Sequence, residues 1–321
     1  MKALRFSQFG PPSVLRIEDI PVPEPQEGDS LVQVKAAGLN PSDYKNVAGN
    51  FKHTTLPRTP GRDFAGVVVK GKHEGAEAWG SSSTLGIVRD GSHAEFVAVP
   101  EDTVWLKPKS LSMAQAAAIG VPYITAWACL MNAAQIQPGE TILIVGAAGA
   151  VGQAGTQIAN WKQARVIGAA MSSDPIPGTV VVINTKIENL PERALALTGG
   201  KGVDVVLDAV GGAMFEPALR SLRRGGRQVA ITSTGDPRVS FNLVDFYHNR
   251  SRLIGVDSAA ISPQEMAEIA SQLTPGFETG ALEPPPIQIV PFENAVDAYV
   301  RVATGKANLK QVLSFLADRI A

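Results

Sequence analysis

Thr141-Ile142-Leu143-Ile144-Val145 runs without interruption into Gly146-Ala147-Ala148-Gly149-Ala150-Val151-Gly152. The first five residues read as a buried strand, because nothing polar follows Thr141 before the turn. The turn carries no bulky side chain, and a helix with one apolar face follows over 151–162. A strand, turn and helix in this order leave backbone N–H groups unpaired at a helix N-terminus. There the helix dipole and the free donors favour an anion such as a pyrophosphate. Gly146 suits the tight turn, while Ala148, Gly149, Ala150 and Val151 form the stretch a phosphate would approach. Gly152 lets the helix pack close to its strand. A glycine turn alone also serves simply to end a buried strand, so the surrounding elements decide between the two readings.

Those elements alternate. Strand-like runs at 165–170, 180–183, 203–208, 227–231 and 253–256 are separated by helical stretches or turns. Repeated strand–helix alternation predicts an α/β fold with a doubly wound parallel sheet, and the glycine turn after its first strand predicts a bound nucleotide. The second strand ends in Met171-Ser172-Ser173-Asp174. NAD-specific sites of this kind place an acid near that strand tip. Here Ser172 and Ser173 stand in its place and can hydrogen-bond a 2′-phosphate, so NADPH is expected in preference to NADH. The same serines also suit the start of a turn before Pro175, and Asp174 opposes a phosphate dianion.

With 321 residues the chain is long enough for two domains. Its net charge of −1 provides no basic field for nucleic acid. The single cysteine, Cys129, lies in an apolar helical run and reads as a core residue. The N-terminus reads as a strand rather than a signal peptide, and no apolar run suggests a membrane span. A soluble cytoplasmic protein with no membrane partner is the expectation. Residues 1–115 are rich in Gly and Pro, with short strands at 2–6, 31–36, 65–70 and 94–100. Helices are expected at 113–118, capped by Ser112, and at 124–134. After about residue 260 the alternation ends, with a helix at 292–303 and a closing strand at 311–315. The expected domains are a β-rich one built from 1–115 and 262–321, and a nucleotide-binding one over 116–261.

Several motifs together resemble one family across nearly the whole chain. They are Ala37-Gly38-Leu39-Asn40-Pro41-Ser42-Asp43-Tyr44-Lys45, Pro60-Gly61-Arg62-Asp63-Phe64-Ala65-Gly66-Val67-Val68, Asp90-Gly91-Ser92-His93-Ala94-Glu95-Phe96, Tyr123-Ile124-Thr125-Ala126-Trp127, the glycine turn, Asp208-Ala209-Val210-Gly211-Gly212 and Gly305-Lys306. The chain resembles the zinc-independent medium-chain dehydrogenase/reductases, in their quinone oxidoreductase and enone reductase branch. The resemblance implies a GroES-like catalytic domain built from both ends of the chain, an inserted Rossmann domain, and an active site in the cleft. It also implies NADPH-dependent reduction of small quinones or α,β-unsaturated carbonyls, commonly by homodimers. Thr125 is then expected near the nicotinamide, Gly149, Ala150 and Val151 under the pyrophosphate, and Val210 and Thr232 just past the strand ends along the cofactor. Thr125 also suits an ordinary helix position.

Zinc-dependent relatives hold their metal with Cys, His and Glu or a second Cys. Here Asn40 stands at the first place, and Gly61-Arg62-Asp63 replaces Gly-His-Glu. His53, His73, His93 and His248 show no ligand spacing and read as surface or hydrogen-bonded residues, with His93 a minor catalytic candidate. No metal is therefore expected. The site must then supply orientation and donors for an oxygen that gains charge. Asn40, Tyr44 and Lys45 are the catalytic candidates. Asn40 also suits the start of a turn before Pro41, Lys45 also suits a solvated position, and Asp43 reads as a helix cap. Proton delivery is left to water. One departure from the family stands out: only Ser173–Thr179 joins the second and third strands, and two prolines there exclude a helix. The basic residue such a helix carries is missing with it. Arg193 is a candidate substitute, and Thr185 stands where a tyrosine often contacts the 2′-phosphate. An enoyl-thioester reductase and a non-catalytic NADPH-binding protein are the alternative functions.

Overall fold

A computed structural model describes residues 1–315; the last stretch of the expected second catalytic segment, 316–321, lies outside the described residues. The chain divides into two compact units, Pro122–Ser258 and the remainder from both ends of the chain.

The inserted unit is built on a six-stranded sheet. Across the sheet the strands are Val181–Asn184, Arg165–Ala170, Thr141–Val145, Val203–Asp208, Leu222–Ala230 and Arg252–Gly255, all parallel. Chain order reverses between Thr141–Val145 and Val203–Asp208, so loops at the carboxyl ends of these two strands diverge and open a crevice for a ligand. The central strands read as unbroken Val, Ile and Leu because both faces are covered. Leu143, Ile167, Val206, Leu190 and Ala218 belong to one buried cluster formed with the covering helices. The α-helices include Ala150–Trp161, Leu190–Leu197 and Phe215–Arg220. No helix joins Arg165–Ala170 to Val181–Asn184, in keeping with Pro175 and Pro177. The helix expected at 124–134 is instead an α-helix, Gly120–Trp127, continued by a π-helical stretch, Ala128–Ala133.

The other unit carries a seven-stranded, mainly antiparallel sheet. Its long strand Asp29–Gly38 lies between Asp63–Lys70 and the closing strand Lys310–Ser314. Asp29–Gly38 also pairs with Phe96–Pro100. Three further strands complete the sheet: Glu77–Ser81, Val104–Leu106 and Ile287–Pro291. These three are absent from the sequence reading, being short and flanked by turns. So is the helix Pro263–Thr279, which carries prolines at its first turn and at Pro275. Pro263 stands at its first turn, where an N–H has no helical acceptor anyway, and Ser262 caps it by accepting from Glu265 N at 3.2 Å. No described helix is long and apolar enough to cross a membrane.

Candidate active site

The glycine turn is exposed where a ligand would meet it. Ala148 and Gly149 are exposed, and Gly149 caps the helix Ala150–Trp161 without any side-chain hydrogen bond. The N–H groups of Ala150, Val151 and Gly152 open that helix, ahead of any intrahelical acceptor. Gly146 N and Ala147 N are held by Ala169 O at 3.0 and 3.1 Å, which ties the turn to the second strand. At Gly152 a Cβ would stand 2.3 Å from Gly146 O and 2.7 Å from Ala147 Cα. Only glycine permits this approach of helix to turn. Thr125 is 4% exposed, and its buried hydroxyl has no hydrogen-bond partner among the described residues. An orphaned buried donor and a bare helix N-terminus together fit a dinucleotide: Ala150, Val151 and Gly152 would hold its pyrophosphate, and Thr125 would meet a polar group of the bound cofactor.

The same unit places the remaining cofactor candidates at the carboxyl ends of its strands. Val210 and Thr232 are half-buried. The loop carrying Val210 is shaped by Asp208, whose Oδ1 accepts from Val210 N at 3.0 Å and Gly211 N at 2.8 Å. Burial raises the Asp208 carboxyl above its usual range, and those N–H groups and Gln228 oppose the rise. Ser172 and Ser173 are exposed, and Ser173 Oγ accepts from Asn184 Nδ2 at 3.2 Å. Arg193 is ion-paired with Glu188 at 3.2 Å. Thr185 donates its hydroxyl to Ala170 O at 3.1 Å.

In the other unit the sheet register assembles a polar cluster. Val312 lies opposite Gly38, and Leu39 N donates to Gln311 O at 3.0 Å. Beyond this pair stand Asn40, which opens the helix Pro41–Val47 just past the strand end, and Lys310, the first residue of the closing strand. Lys310 Nζ donates to Asn40 Oδ1, and Asn40 Nδ2 donates to Asp63 Oδ2 at 2.8 Å. Asp63 Oδ1 accepts from Val121 N at 2.9 Å, and Lys310 Nζ stands 3.9 Å from Asp63 Oδ2. Asn40 and Asp63 are buried, as is the Lys310 side chain. Burial pulls the Lys310 ammonium below its usual range, while Asp63 and Asp43 hold it up.

Asp43 caps the helix Pro41–Val47 as expected, its Oδ2 accepting from Asn40 N at 2.7 Å. Burial pushes this carboxyl up to about 7 against the lowering effect of that N–H. Tyr44 and Lys45 follow on the same helix, both half-buried. The Tyr44 ring packs on an apolar cluster containing Leu4, Leu39, Val47 and Tyr299. Asn40 is thus gathered with Asp63 and Lys310, whereas Tyr44 takes part in the core.

His93 is buried and hydrogen-bonded. Its Nε2 stands 3.3 Å from Gly38 O and its Nδ1 2.8 Å from Tyr299 OH. A carbonyl only accepts, so Nε2 carries the hydrogen and the Tyr299 hydroxyl donates to Nδ1. The ring is neutral, and burial lowers its pKa to about 4. Gly61 makes room for it, with φ +99° and a Cβ position 2.3 Å from His93 Cδ2. Among the described residues no group of three or more His, Cys, Asp or Glu side chains forms a metal-ligand cluster. Lys310 was missing from the sequence reading. Its only signal was a lone charge at the start of an apolar strand.

Two family models match the chain: the alcohol dehydrogenase GroES-like domain over residues 26–109 and the zinc-binding dehydrogenase over 150–274. A zinc-type alcohol dehydrogenase-like protein of Schizosaccharomyces pombe is 35% identical over 289 residues, covering 87% of this chain and 86% of its own. The quinone oxidoreductase of Pongo abelii is 32% identical over 319 residues, covering 95% and 96%. A solved NAD-dependent alcohol dehydrogenase superposes with a TM-score of 0.89 at 29% identity, over 98% of this chain and all of that one. With both family domains matched, and relatives of this identity aligned along nearly its full length, the chain belongs to the medium-chain dehydrogenase/reductase family of oxidoreductases.

Proposed function

We propose that the protein is an NADPH-dependent, zinc-independent oxidoreductase that reduces a quinone or an α,β-unsaturated carbonyl compound. The observation that carries this reading is the cluster of Asn40, Asp63 and Lys310. At the positions where zinc-dependent relatives keep thiolate and imidazole ligands, this chain has Asn40 and Arg62. Asn40 is already engaged by a carboxylate and an ammonium, and Arg62 Nε donates to Ser82 O at 3.1 Å. Lys310 Nζ occupies the Asn40 oxygen, the one atom of that side chain able to ligate a metal. The quinone oxidoreductase relative supports the substrate class. Quinones and enones share one demand, a donor for the carbonyl oxygen that gains charge as the conjugated carbon is reduced.

When bound, the dinucleotide supplies the hydride. The chain's own residues bind, orient and stabilise. Gly146, Ala148, Gly149, Ala150, Val151 and Gly152 form the pyrophosphate cradle. Thr125, Val210 and Thr232 flank the rest of the cofactor, with Ser172 and Ser173 at its 2′-phosphate. Asn40 donates to the substrate oxygen, and Tyr44 and Lys45 stand on the helix that follows it. The resemblance also carries a cytoplasmic homodimer.

The test is NADPH oxidation against a quinone, a short enone and an enoyl-CoA. Turnover of the first two supports the reading. Turnover of enoyl-CoA alone favours an enoyl-thioester reductase. Silence on all three, with measurable NADPH binding, favours a non-catalytic binding protein. Tighter binding of NADH than NADPH by calorimetry overturns the cofactor preference.

A further inference from the structure

We propose that Lys310 is a positioning residue for this reduction, fixing the Asn40 amide so that one Nδ2 hydrogen is held ready for the substrate oxygen. The inference rests on the function proposed above. An asparagine amide has an acceptor end and a donor end, and nothing in its shape alone selects between the two orientations. Here the selection is electrostatic. The Lys310 ammonium has only donors and claims Oδ1, and the Asp63 carboxylate has only acceptors and claims Nδ2. A flip would put NH2 against an ammonium and oxygen against a carboxylate, inside a buried site. Asp63 takes one Nδ2 hydrogen, and the second has no partner among the described residues. A donor oriented in advance needs no rearrangement when charge develops on an acceptor, and the adjoining ammonium polarises the amide toward donation.

The test compares the full-length chain with Lys310→Met, Lys310→Gln, Asn40→Ala and the double variant Asn40→Ala/Lys310→Met. Lys310→Gln keeps a donor toward Oδ1 without the charge, and so preserves the fold if Lys310→Met does not. Lys310→Met is expected to lower kcat by roughly 100-fold, the scale of one lost preorganised donor. KM and NADPH affinity should stay within about threefold. In the Asn40→Ala background the same change should cost less than about threefold, because the two residues act as one unit. The Asn40 side-chain amide, assigned in 15N NMR by its loss in Asn40→Ala, should move in Lys310→Gln whatever the activity. Additive losses, a fall in NADPH affinity matching that in kcat, or an unmoved Asn40 resonance would each overturn the proposal. If the wild-type chain turns over no quinone or enone, the proposed function fails by itself, and the NMR comparison still judges whether Lys310 holds Asn40.

Discussion

The glycine turn 146–152 and the Asn40–Asp63–Lys310 cluster are both polar sites on sheet proteins, but they are made in opposite ways. The turn is local and built from backbone. Seven consecutive residues contribute almost no side-chain chemistry, and their value lies in what is absent, as at Gly152, where a Cβ would strike Gly146 O. The cluster is non-local and built from side chains. Its members come from the ends of three strands and are joined by sheet register, with Lys310 distant in sequence from Asn40. A backbone site tolerates most chemistry and few shapes. A buried charged site tolerates few changes of chemistry, because each member is the other's solvent.

The largest expected effect lies in the cluster. Asp63→Ala leaves the buried Lys310 ammonium without its carboxylate, and Asn40 Nδ2 and Val121 N without their acceptor. Thermal and denaturant unfolding should show a loss of about 3–5 kcal/mol. A loss below about 1 kcal/mol would mean the cluster is solvated rather than mutually dependent.

The pH dependence comes next. As pH falls below 6.5 the unfolded His93 gains a proton that the folded ring, at about 4, refuses, so its contribution to stability is lost toward acid. Asp43 works in the reverse sense. Folded, at about 7, it holds a proton that the unfolded side chain releases above 3.8, so its contribution is present in acid and lost as pH rises through 7. Between about pH 4 and 6.5 the two oppose. Asp43→Asn removes one side of the balance, and the variant should lose roughly 3 kcal/mol more than wild type over that window. Equal slopes in urea titrations across the range would refute the opposition.

Gly152→Val tests the other region. With the added Cβ forced onto backbone, NADPH affinity by calorimetry should fall by about 100-fold, because the cradle loses its shape. The variant should still bind substrate at the cluster, as Asp63→Ala, where folded, should still bind cofactor. The smallest effect is expected at Ser173→Ala. That side chain is exposed and shares its oxygen with Asn184, so the NADPH-to-NADH preference should shift by only about two- to threefold.

The strand Thr141–Val145, its turn and its helix were legible because the signal is contiguous: an apolar run, small residues, then a helical period. The central strands of the inserted unit followed for the same reason, and the absent helix after Ser173 was legible from two prolines. Asn40 drew notice through a motif position, and Asp43, in the same motif, as a helix cap. The strands Glu77–Ser81 and Val104–Leu106 were not legible, since short strands carry too few residues to show a period. Tyr44 was read for its hydroxyl, and packing gave its ring to an apolar cluster. His93 read as a scattered histidine, and only its two partners revealed a neutral, buried ring.

The sequence by itself determined the parallel sheet, the glycine turn between strand and helix, and the family, because each depends on neighbours along the chain. Tertiary structure alone decided that Lys310 lies on Asn40 and that Asp63 shares them both. Antiparallel register sets which residues of distant strands meet, and a single residue's slip would have turned each of these side chains to the opposite face.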